Sequence, residues 1–218
     1  MKNVSIVLAV YNEAETLEKE VRQIYETIIS KIPGSEIIIA EDGSTDGSKE
    51  IIKELVEELG IIHSTSTKRK GYTRALRDAF KITKSPYIFF SDTGNKHSPE
   101  DFWKLYNYID DFDLIIGVKS NRKDQNYRKA LTWGYNKLLS IIFRKKISDA
   151  DSGFRIYSKD LMDALTITQQ RLINNKRDIG IYFEHKGNTI PYFGFGNRAE
   201  FLKLLPVEQA IYCIKNQI

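Results

Sequence analysis

The amino-acid sequence predicts an α/β fold in which a mostly parallel sheet carries helices on both faces. Short apolar runs rich in β-branched residues recur along the first half, beginning with residues 4–10, and such runs are typical of buried strands. Segments with apolar residues at helical spacing lie between them. Strand and helix alternate about four times. This alternation predicts parallel strands, because a strand–helix–strand unit brings the chain back in the same direction.

The first elements follow from apolar spacing and from the breakers between them. Residues 13–30 carry an apolar stripe at helical spacing and end before the Pro33-Gly34 breaker. Residues 48–59 carry a second stripe, and Gly60 after them is a plausible helix C-cap. The predicted strands around these two helices are 4–10, 36–40 and 61–63.

The alternation continues towards the middle of the chain. Residues 99–108 predict a helix, with Ser98 as N-cap and Pro99 at the first helical position. The other predicted helices are 72–82 and the long amphipathic segment 126–143, and the predicted strands are 87–90 and 114–118.

The alternation of predicted strands and helices is less clear in the last third of the chain. We predict a loop over 149–154, a short strand over 155–157 and a helix over 159–165, followed by an edge strand at 189–192 and a terminal helix at 206–216. A chain of 218 residues fits one domain with a small C-terminal appendage.

Composition excludes several classes of protein. A net charge of +4 is too mild to argue for nucleic acid, and the histidines lack zinc-ligand spacing. With Cys213 as the single cysteine, no internal disulfide forms, which favours a reducing compartment. No apolar run is long enough to span a membrane. We therefore expect a cytoplasmic protein, with any membrane contact peripheral on the cytoplasmic face.

Polar loops follow several of the predicted strands. Ligands of such sheets bind at the carboxyl ends of the strands, so these loops should line one site. The strongest signal is the acidic, glycine-containing loop 41–48, since a carboxylate there can accept hydrogen bonds from a base or a ribose. The alternative is a loop whose acids only cap the next helix. The other loops are 11–13, 91–99 and the segment from 119 onward.

Two of these loops carry a family resemblance. The segments 7–13 (VLAVYNE) and 40–47 (AEDGSTDG) resemble the opening of family 2 glycosyltransferases, which have the Rossmann-like GT-A fold. Segments 116–119 (IGVK) and 149–155 (DADSGFR) resemble the polyprenyl-phosphate branch, the dolichyl-phosphate mannosyl- and glucosyltransferases. The resemblance covers about residues 4–165. It implies a catalytic domain over 1–165, with a nucleotide-binding first half, and an acceptor-side extension of the same domain over 166–218.

The resemblance implies roles for individual residues, and none of them follows from spacing alone. It implies that the nucleotide-sugar donor and its phosphates contact residues of the strand-end loops, with Asp92 facing the diphosphate or a divalent metal. The implied substrate-binding residues are Tyr11, Asn12, Glu13, Asp42, Lys70, Gly71, Asp92, Lys119, Arg155 and Arg198. The implied catalytic residues are Asp149, Asp151, Lys96 and Arg128.

The aspartate loop departs from the family pattern. Relatives read Asp-x-Asp-x-Gln there and hold a divalent cation, whereas this chain has Gly94 in place of the second aspartate and Lys96 in place of the glutamine. One carboxylate, Asp92, is a poor Mg²⁺ or Mn²⁺ site by itself. One hypothesis is that Lys96 partly replaces the metal and neutralises the leaving diphosphate. The alternatives are a metal held weakly by Asp92, diphosphate and water, or an inactive homologue.

The C-terminal region also departs from the branch. Arg198 and Lys203 keep basic positions, but the glycine and serine expected between them are replaced. The apolar tract 193–205 could rest on a membrane surface, pack on the core or form a dimer contact. The acceptor is therefore either a polyprenyl phosphate, which needs no strong base, or a sugar hydroxyl, for which Asp151 is the candidate base. A membrane partner protein and a binding module without turnover stay open.

A dinucleotide-binding oxidoreductase is disfavoured. No Gly-x-Gly-x-x-Gly follows the first strand, where the chain reads Tyr11-Asn12-Glu13 instead.

Overall fold

The computed structural model describes residues 1–118, 126–142, 152–163, 181–185 and 188–192. The strands are β1 Val4–Val10, β2 Glu36–Glu41, β3 Ile62–Ser64, β4 Tyr87–Asp92, β5 Leu114–Ile116, β6 Phe154–Ser158, β7 Ile181–His185 and β8 Asn188–Tyr192. The helices are α1 Ala14–Thr27, α2 Ser48–Leu59, α3 Tyr72–Lys81, α4 Phe102–Tyr106 and α5 Asn126–Ile142. Short 3₁₀ turns cover Ile29–Lys31 and Pro99–Asp101, and residues 159–163 are helical.

The main sheet has six strands in the order β3-β2-β1-β4-β6-β5. β1 pairs in parallel with both β2 and β4, and β3 pairs in parallel with β2. β6 is antiparallel to β4 on one side and to β5 on the other. The predicted mostly parallel α/β sheet is confirmed. The sequence did not place β6 between β4 and β5, because pairing between strands so far apart in the chain leaves no local signal.

Helices cover both faces of this sheet, as predicted. Alternate residues of β1, such as Ile6 and Leu8, pack in one apolar cluster with buried residues of α1, α2 and α4. Val7 faces the other way, into a cluster formed with the buried residues of α3. A strand that contributes to both clusters must be apolar at nearly every position, which explains the continuous run over residues 4–10.

Several predicted boundaries shift by a few residues. The helix predicted over 99–108 is a 3₁₀ turn followed by α4, which ends at Tyr106. The strand predicted over 114–118 ends at Ile116, although the Gly117 N–H still donates to the Phe154 carbonyl, at 2.9 Å. The edge strand at 189–192 is β8 of a separate antiparallel pair with β7. The terminal helix at 206–216 lies outside the described residues, and the extension 166–218 stays a prediction.

Candidate functional site

A cavity of about 200 Å³ opens at the carboxyl ends of β1, β2 and β4. This is the sheet edge at which the sequence predicted a ligand site. Four residues predicted to bind substrate, together with Lys96, line it. The lining residues are Ala9, Val10, Tyr11, Glu13, Ala40, Asp42, Arg69, Tyr72, Ala75, Asp92, Thr93 and Lys96.

The loops after β1 and β2 are hydrogen-bonded to each other. The Asn12 side-chain oxygen accepts the Thr45 N–H at 2.9 Å, and the Asn12 N–H donates to the Ser44 hydroxyl at 3.0 Å. Asn12 has a φ of 55°, in the left-handed region where asparagine is tolerated better than most residues. Asn12 therefore shapes the rim of the cavity, while its neighbours Tyr11 and Glu13 line it.

One acid of the 41–48 loop does cap helices. The Asp46 carboxylate accepts the N–H of Ala14 at 2.9 Å and that of Ser48 at 3.1 Å, the first residues of α1 and α2. This satisfies one otherwise unpaired donor at the start of each helix. The alternative interpretation, in which the acids of this loop only cap helices, therefore holds for Asp46. It does not hold for Asp42, whose carboxylate contacts residues 70 and 71.

Asp42 holds the loop that forms one wall of the cavity. Its side chain is buried, and its carboxylate accepts the backbone N–H groups of Lys70 at 2.8 Å and Gly71 at 3.0 Å. The same loop packs against Gly43, where an added Cβ would lie 2.6 Å from the Arg69 nitrogen. Asp42 lines the cavity and also fixes the position of residues 69–71.

Arg69 was missed as a site residue in the sequence. Its guanidinium lies 4.0 Å from the centroid of the Tyr11 ring, a cation–π distance. Its Nε is 3.8 Å from the Asp42 carboxylate. The basic run 68–70 was the available signal, but it does not reveal which side chain turns inward. The Lys70 ammonium instead pairs with Asp78 on α3, at 2.7 Å.

Asp92 ends β4 and lies between α3 and the turn before β6. The Tyr72 hydroxyl donates to its Oδ1 at 2.8 Å, and its own N–H donates to the Gly153 carbonyl at 2.8 Å. A Cβ on Gly153 would overlap the Asp92 carboxylate. This contact explains why the Ser-Gly-Phe segment has glycine at position 153, since only glycine leaves room for the Asp92 carboxylate. Tyr72 is the second site residue that the sequence did not reveal.

The turn after Asp92 is held by a buried acid on α1. Gly94 and Asn95 have φ values of 86° and 56°. The Glu20 carboxylate accepts the Gly94 N–H at 3.0 Å and the Asn95 N–H at 3.5 Å. Glu20 is only 4% exposed, and burial raises the pKa of its carboxyl above the usual value. The nearby Glu13 charge raises that pKa further, while the two N–H groups and Lys96 lower it.

We expect Glu20→Gln to raise the melting temperature at neutral pH. A carboxyl with a raised folded pKa stabilises the fold fully below its unfolded pKa, and this contribution is lost as the pH rises through the folded pKa. The glutamine keeps an acceptor for the Gly94 N–H but carries no charge. A gain of about 1 kcal/mol corresponds to roughly 2–4 °C in a chain of this size.

The measurement is a thermal melt from about pH 4 to pH 8, in which the gain should shrink towards acid. Glu26→Gln, an exposed change on the same helix, is the matched control and should show no such trend. A melting temperature that falls at neutral pH and recovers towards acid would instead show that the Glu20 charge stabilises the turn.

The described residues around Asp92 do not by themselves form a divalent-cation site built of carboxylates. Asp92 Oδ1 already accepts a hydrogen bond, Gly94 offers no side chain, and Lys96 brings a positive charge to the same cavity. Within the described parts of the chain, no cluster of three His, Cys, Asp or Glu side chains could hold a metal ion.

The structure describes only some of the remaining residues that the sequence predicted for the site. Arg155 lies on β6, and its Nε donates to the Ser152 carbonyl, so it shapes the turn beside Asp92. Arg128 lies on α5. Outside the described residues lie Lys119, Asp149, Asp151 and Arg198.

A parallel sheet with an inserted antiparallel strand, and acids at its carboxyl edge, defines the class of nucleotide-sugar transferases with the GT-A fold. Residues 5–166 match the family described as Glycosyl transferase family 2. The chain belongs to that family, which confirms the resemblance seen in the sequence.

Curated relatives and solved structures agree with this assignment. The chain is 28% identical over 174 residues to an undecaprenyl-phosphate 4-deoxy-4-formamido-L-arabinose transferase of Salmonella choleraesuis, covering 78% of this chain and 53% of the relative. This chain therefore spans about half the length of the curated relatives it matches.

Two structures show the same fold. Mannosyl-3-phosphoglycerate synthase from Rubrobacter xylanophilus superposes with a TM-score of 0.61 at 13% identity, over 75% of this chain and 55% of that one. Glucosyl-3-phosphoglycerate synthase from Mycobacterium tuberculosis, in complex with Mn²⁺, UDP-glucose and glycerol 3-phosphate, has a TM-score of 0.57 at 21% identity, over 75% and 59% of the two chains.

Proposed function

We propose that this chain transfers a hexose from a nucleotide-sugar donor to a polyprenyl phosphate, with inversion at the anomeric carbon. The observation that carries the proposal is that Tyr11, Asp42 and Asp92 line one cavity at the carboxyl edge of the sheet. The family match supports the nucleotide-sugar donor. The named acceptor of the Salmonella relative, undecaprenyl phosphate, supports the lipid phosphate.

The chemistry is a direct displacement. A phosphate oxygen of the acceptor forms a bond to the anomeric carbon while the bond from that carbon to the nucleoside diphosphate breaks, and the diphosphate leaves with the electron pair. A phosphomonoester has a second pKa of about 6, so this nucleophile is already anionic at neutral pH. The protein then needs to position the reactants and neutralise charge rather than remove a proton.

The described residues divide this work between two ends of the cavity. At the Tyr11 end, the ring, the Arg69 guanidinium and the Asp42 carboxylate offer a stacking face, a donor and an acceptor to a nucleoside. At the Asp92 end, Lys96 is the cationic side chain that lines the cavity beside the leaving diphosphate. Lys119, Arg128, Arg155 and Arg198 are proposed to complete the phosphate contacts, and Asp149 and Asp151 to orient the sugar.

Lys96 is proposed to supply the neutralising charge that a divalent cation supplies in metal-dependent relatives. Gly94 in place of the second aspartate, and the Tyr72 hydroxyl on Asp92, support this assignment over a metal held by Asp92, diphosphate and water.

A nucleotide-sugar-binding homologue without turnover is the second candidate, and the missing second carboxylate favours it. The two are separated by incubating the purified chain with a panel of GDP- and UDP-sugars, with and without a polyprenyl phosphate. Release of nucleoside diphosphate that requires the lipid phosphate, with a glycosyl phosphate product of inverted configuration, is the expected result. Donor binding with no release under either condition would overturn the transferase.

A sugar acceptor in place of the lipid would also release the diphosphate, but only when a sugar hydroxyl is added. In that case Asp151→Asn should cause a severe loss of rate at every pH, because a hydroxyl acceptor needs a base. With a phosphate acceptor the loss should be modest.

A further inference from the structure

Tyr72, the first residue of α3, connects the apolar core with the Asp92 end of the cavity. Its ring packs edge-to-face on Phe90, with 6.4 Å between the ring centroids and 76° between the ring planes. Its hydroxyl donates to Asp92 Oδ1 at 2.8 Å. Phe90 and Asp92 are two positions apart on β4, and alternate residues of a strand face the same side of the sheet. Tyr72 therefore lies along β4, with its ring on Phe90 and its hydroxyl on Asp92.

The start of α3 is anchored, and this fixes where the Tyr72 hydroxyl lies. Gly71, directly before Tyr72, has a φ of 95°, a value that favours glycine. The Gly71 N–H donates to the Asp42 carboxylate at 3.0 Å, and the Gly71 carbonyl accepts the first helical hydrogen bond, from the Arg74 N–H at 3.0 Å. Two consecutive residues at the start of α3 thus contact the acids that follow β2 and β4, namely Asp42 and Asp92.

Both oxygens of the Asp92 carboxylate have a neighbour in the protein. Oδ1 accepts the Tyr72 hydroxyl, and Oδ2 lies against Gly153, where an added Cβ would overlap it. The Asp92 N–H also donates to the Gly153 carbonyl, at 2.8 Å. These contacts hold the carboxylate in one orientation. They also compete with a divalent cation, which needs direct and close contact with carboxylate oxygens.

The same orientation keeps Asp92 apart from Lys96. Both side chains line the cavity, yet none of the ion pairs among the described residues joins them. A carboxylate that could turn freely would be drawn towards the ammonium group by the attraction of opposite charges. The resulting ion pair would weaken the attraction of Lys96 for a diphosphate. The hydrogen bond from Tyr72 opposes that turn.

We propose that Tyr72 is a positioning residue for sugar transfer, whose hydroxyl holds the Asp92 carboxylate away from Lys96 and from a divalent cation. This inference rests on the proposed function, in which Lys96 neutralises the leaving diphosphate. Tyr72 acts through Asp92, so loss of its hydroxyl should alter what Asp92 binds as well as the rate of transfer. No motif in the sequence assigns this role, because the contact joins the starts and ends of different elements.

Tyr72→Phe removes the hydroxyl and keeps the ring that packs on Phe90. We expect kcat for transfer to a prenyl phosphate to fall roughly 10- to 100-fold, since a small misplacement of a group in a site has effects of this size. KM for the donor should change little. Tyr106→Phe is the matched control, because it removes a hydroxyl that donates to the Lys2 carbonyl at 2.8 Å, before the start of β1. An unchanged kcat in Tyr72→Phe, or an equal fall in both variants, would overturn the proposal.

Binding of Mn²⁺ gives a second measurement that a merely structural hydroxyl would not alter. It can be followed by electron paramagnetic resonance in the presence of GDP or UDP, because binding removes the sharp signal of free Mn²⁺. Tyr72→Phe should bind Mn²⁺ about tenfold more tightly than the parent, since an oxygen of Asp92 becomes available as a ligand. Tyr72→Phe/Asp92→Asn should lose that gain. Equal Mn²⁺ affinity in the parent and in Tyr72→Phe would overturn the proposal.

The binding measurement needs no turnover, so the inference and the proposed function can fail separately. A parent that releases no nucleoside diphosphate with any acceptor would overturn the proposed function. A gain in Mn²⁺ affinity in Tyr72→Phe would, even then, support the hold of Tyr72 on Asp92. An active parent whose Tyr72→Phe variant keeps both its kcat and its Mn²⁺ affinity would overturn the role of Tyr72 and leave the transferase standing.

Discussion

Replacing Asp42 with alanine is expected to weaken nucleotide binding strongly and to destabilise the fold. The Asp42 carboxylate is buried and accepts the N–H groups of Lys70 and Gly71. Without it, those donors lose their partner, at a cost of about 1–3 kcal/mol each. Arg69 also loses the acid that lies 3.8 Å from its Nε. We expect a melting temperature lower by roughly 5–10 °C and a nucleotide affinity lower by about a hundredfold.

Titration calorimetry with GDP and UDP, together with thermal melts, measures the two effects separately. Asp42→Asn keeps the shape and one acceptor oxygen, so it should recover most of the stability but not the affinity. Asp111→Ala removes an exposed carboxylate from the turn after α4 and should change neither. If Asp42→Ala binds nucleotide normally once its lower stability is allowed for, then Asp42 only holds the loop and the nucleoside is bound elsewhere.

The parts of this site that the sequence predicted are those encoded by a local pattern. β1 and α2 have the bounds that their apolar spacing predicted, because each is defined within its own segment. The acidic ends of β2 and β4 were visible as carboxylates that follow apolar runs. The carboxyl-edge rule then placed Tyr11, Asp42 and Asp92 in one cavity, as the structure shows.

The missed parts depend on contacts between segments distant in sequence. Tyr72 reaches Asp92 across 20 positions, and Glu20 reaches Gly94 across 74. Neither residue belongs to a motif, so only packing of α1 and α3 on the sheet brings them to the site. β6 was predicted as a strand, but its place between β4 and β5 is set by pairing at Phe90↔Arg155 and Ile115↔Ile156. This pairing brings Gly153 against Asp92.

These contacts change the interpretation of the aspartate loop. From sequence, the loss of the second carboxylate could be read as decay of the site. The structure instead shows a turn with specific supports: Glu20 accepts its N–H groups, and the Thr93 hydroxyl donates to the Ala9 carbonyl at 2.6 Å. A loop held in this way fixes the backbone from which Lys96 extends. A defined position is what charge neutralisation requires, since a donor stabilises a transition state only when it is already in place.

Lys96→Ala is accordingly expected to reduce the rate of transfer by about 10²–10³-fold, the range seen when one preorganised charge or donor at a transition state is removed. Donor affinity should change less, because the nucleoside contacts proposed for Tyr11 and Asp42 are left unaltered. The measurement is steady-state transfer to a prenyl phosphate, with kcat and KM determined separately. Lys84→Ala removes an exposed lysine at the opposite end of β4 and is the matched control.

Metal removal gives the decisive comparison. If Lys96 neutralises the diphosphate, a strong chelator should leave the parent rate nearly unchanged, and added Mn²⁺ should restore little activity to Lys96→Ala. Lys96→Arg should keep part of the rate, because it keeps the charge at a similar distance. Complete loss of parent activity with chelator, recovered by Mn²⁺, would assign the charge to a bound metal. Lys96 would then be an ordinary exposed lysine beside a metal-dependent site.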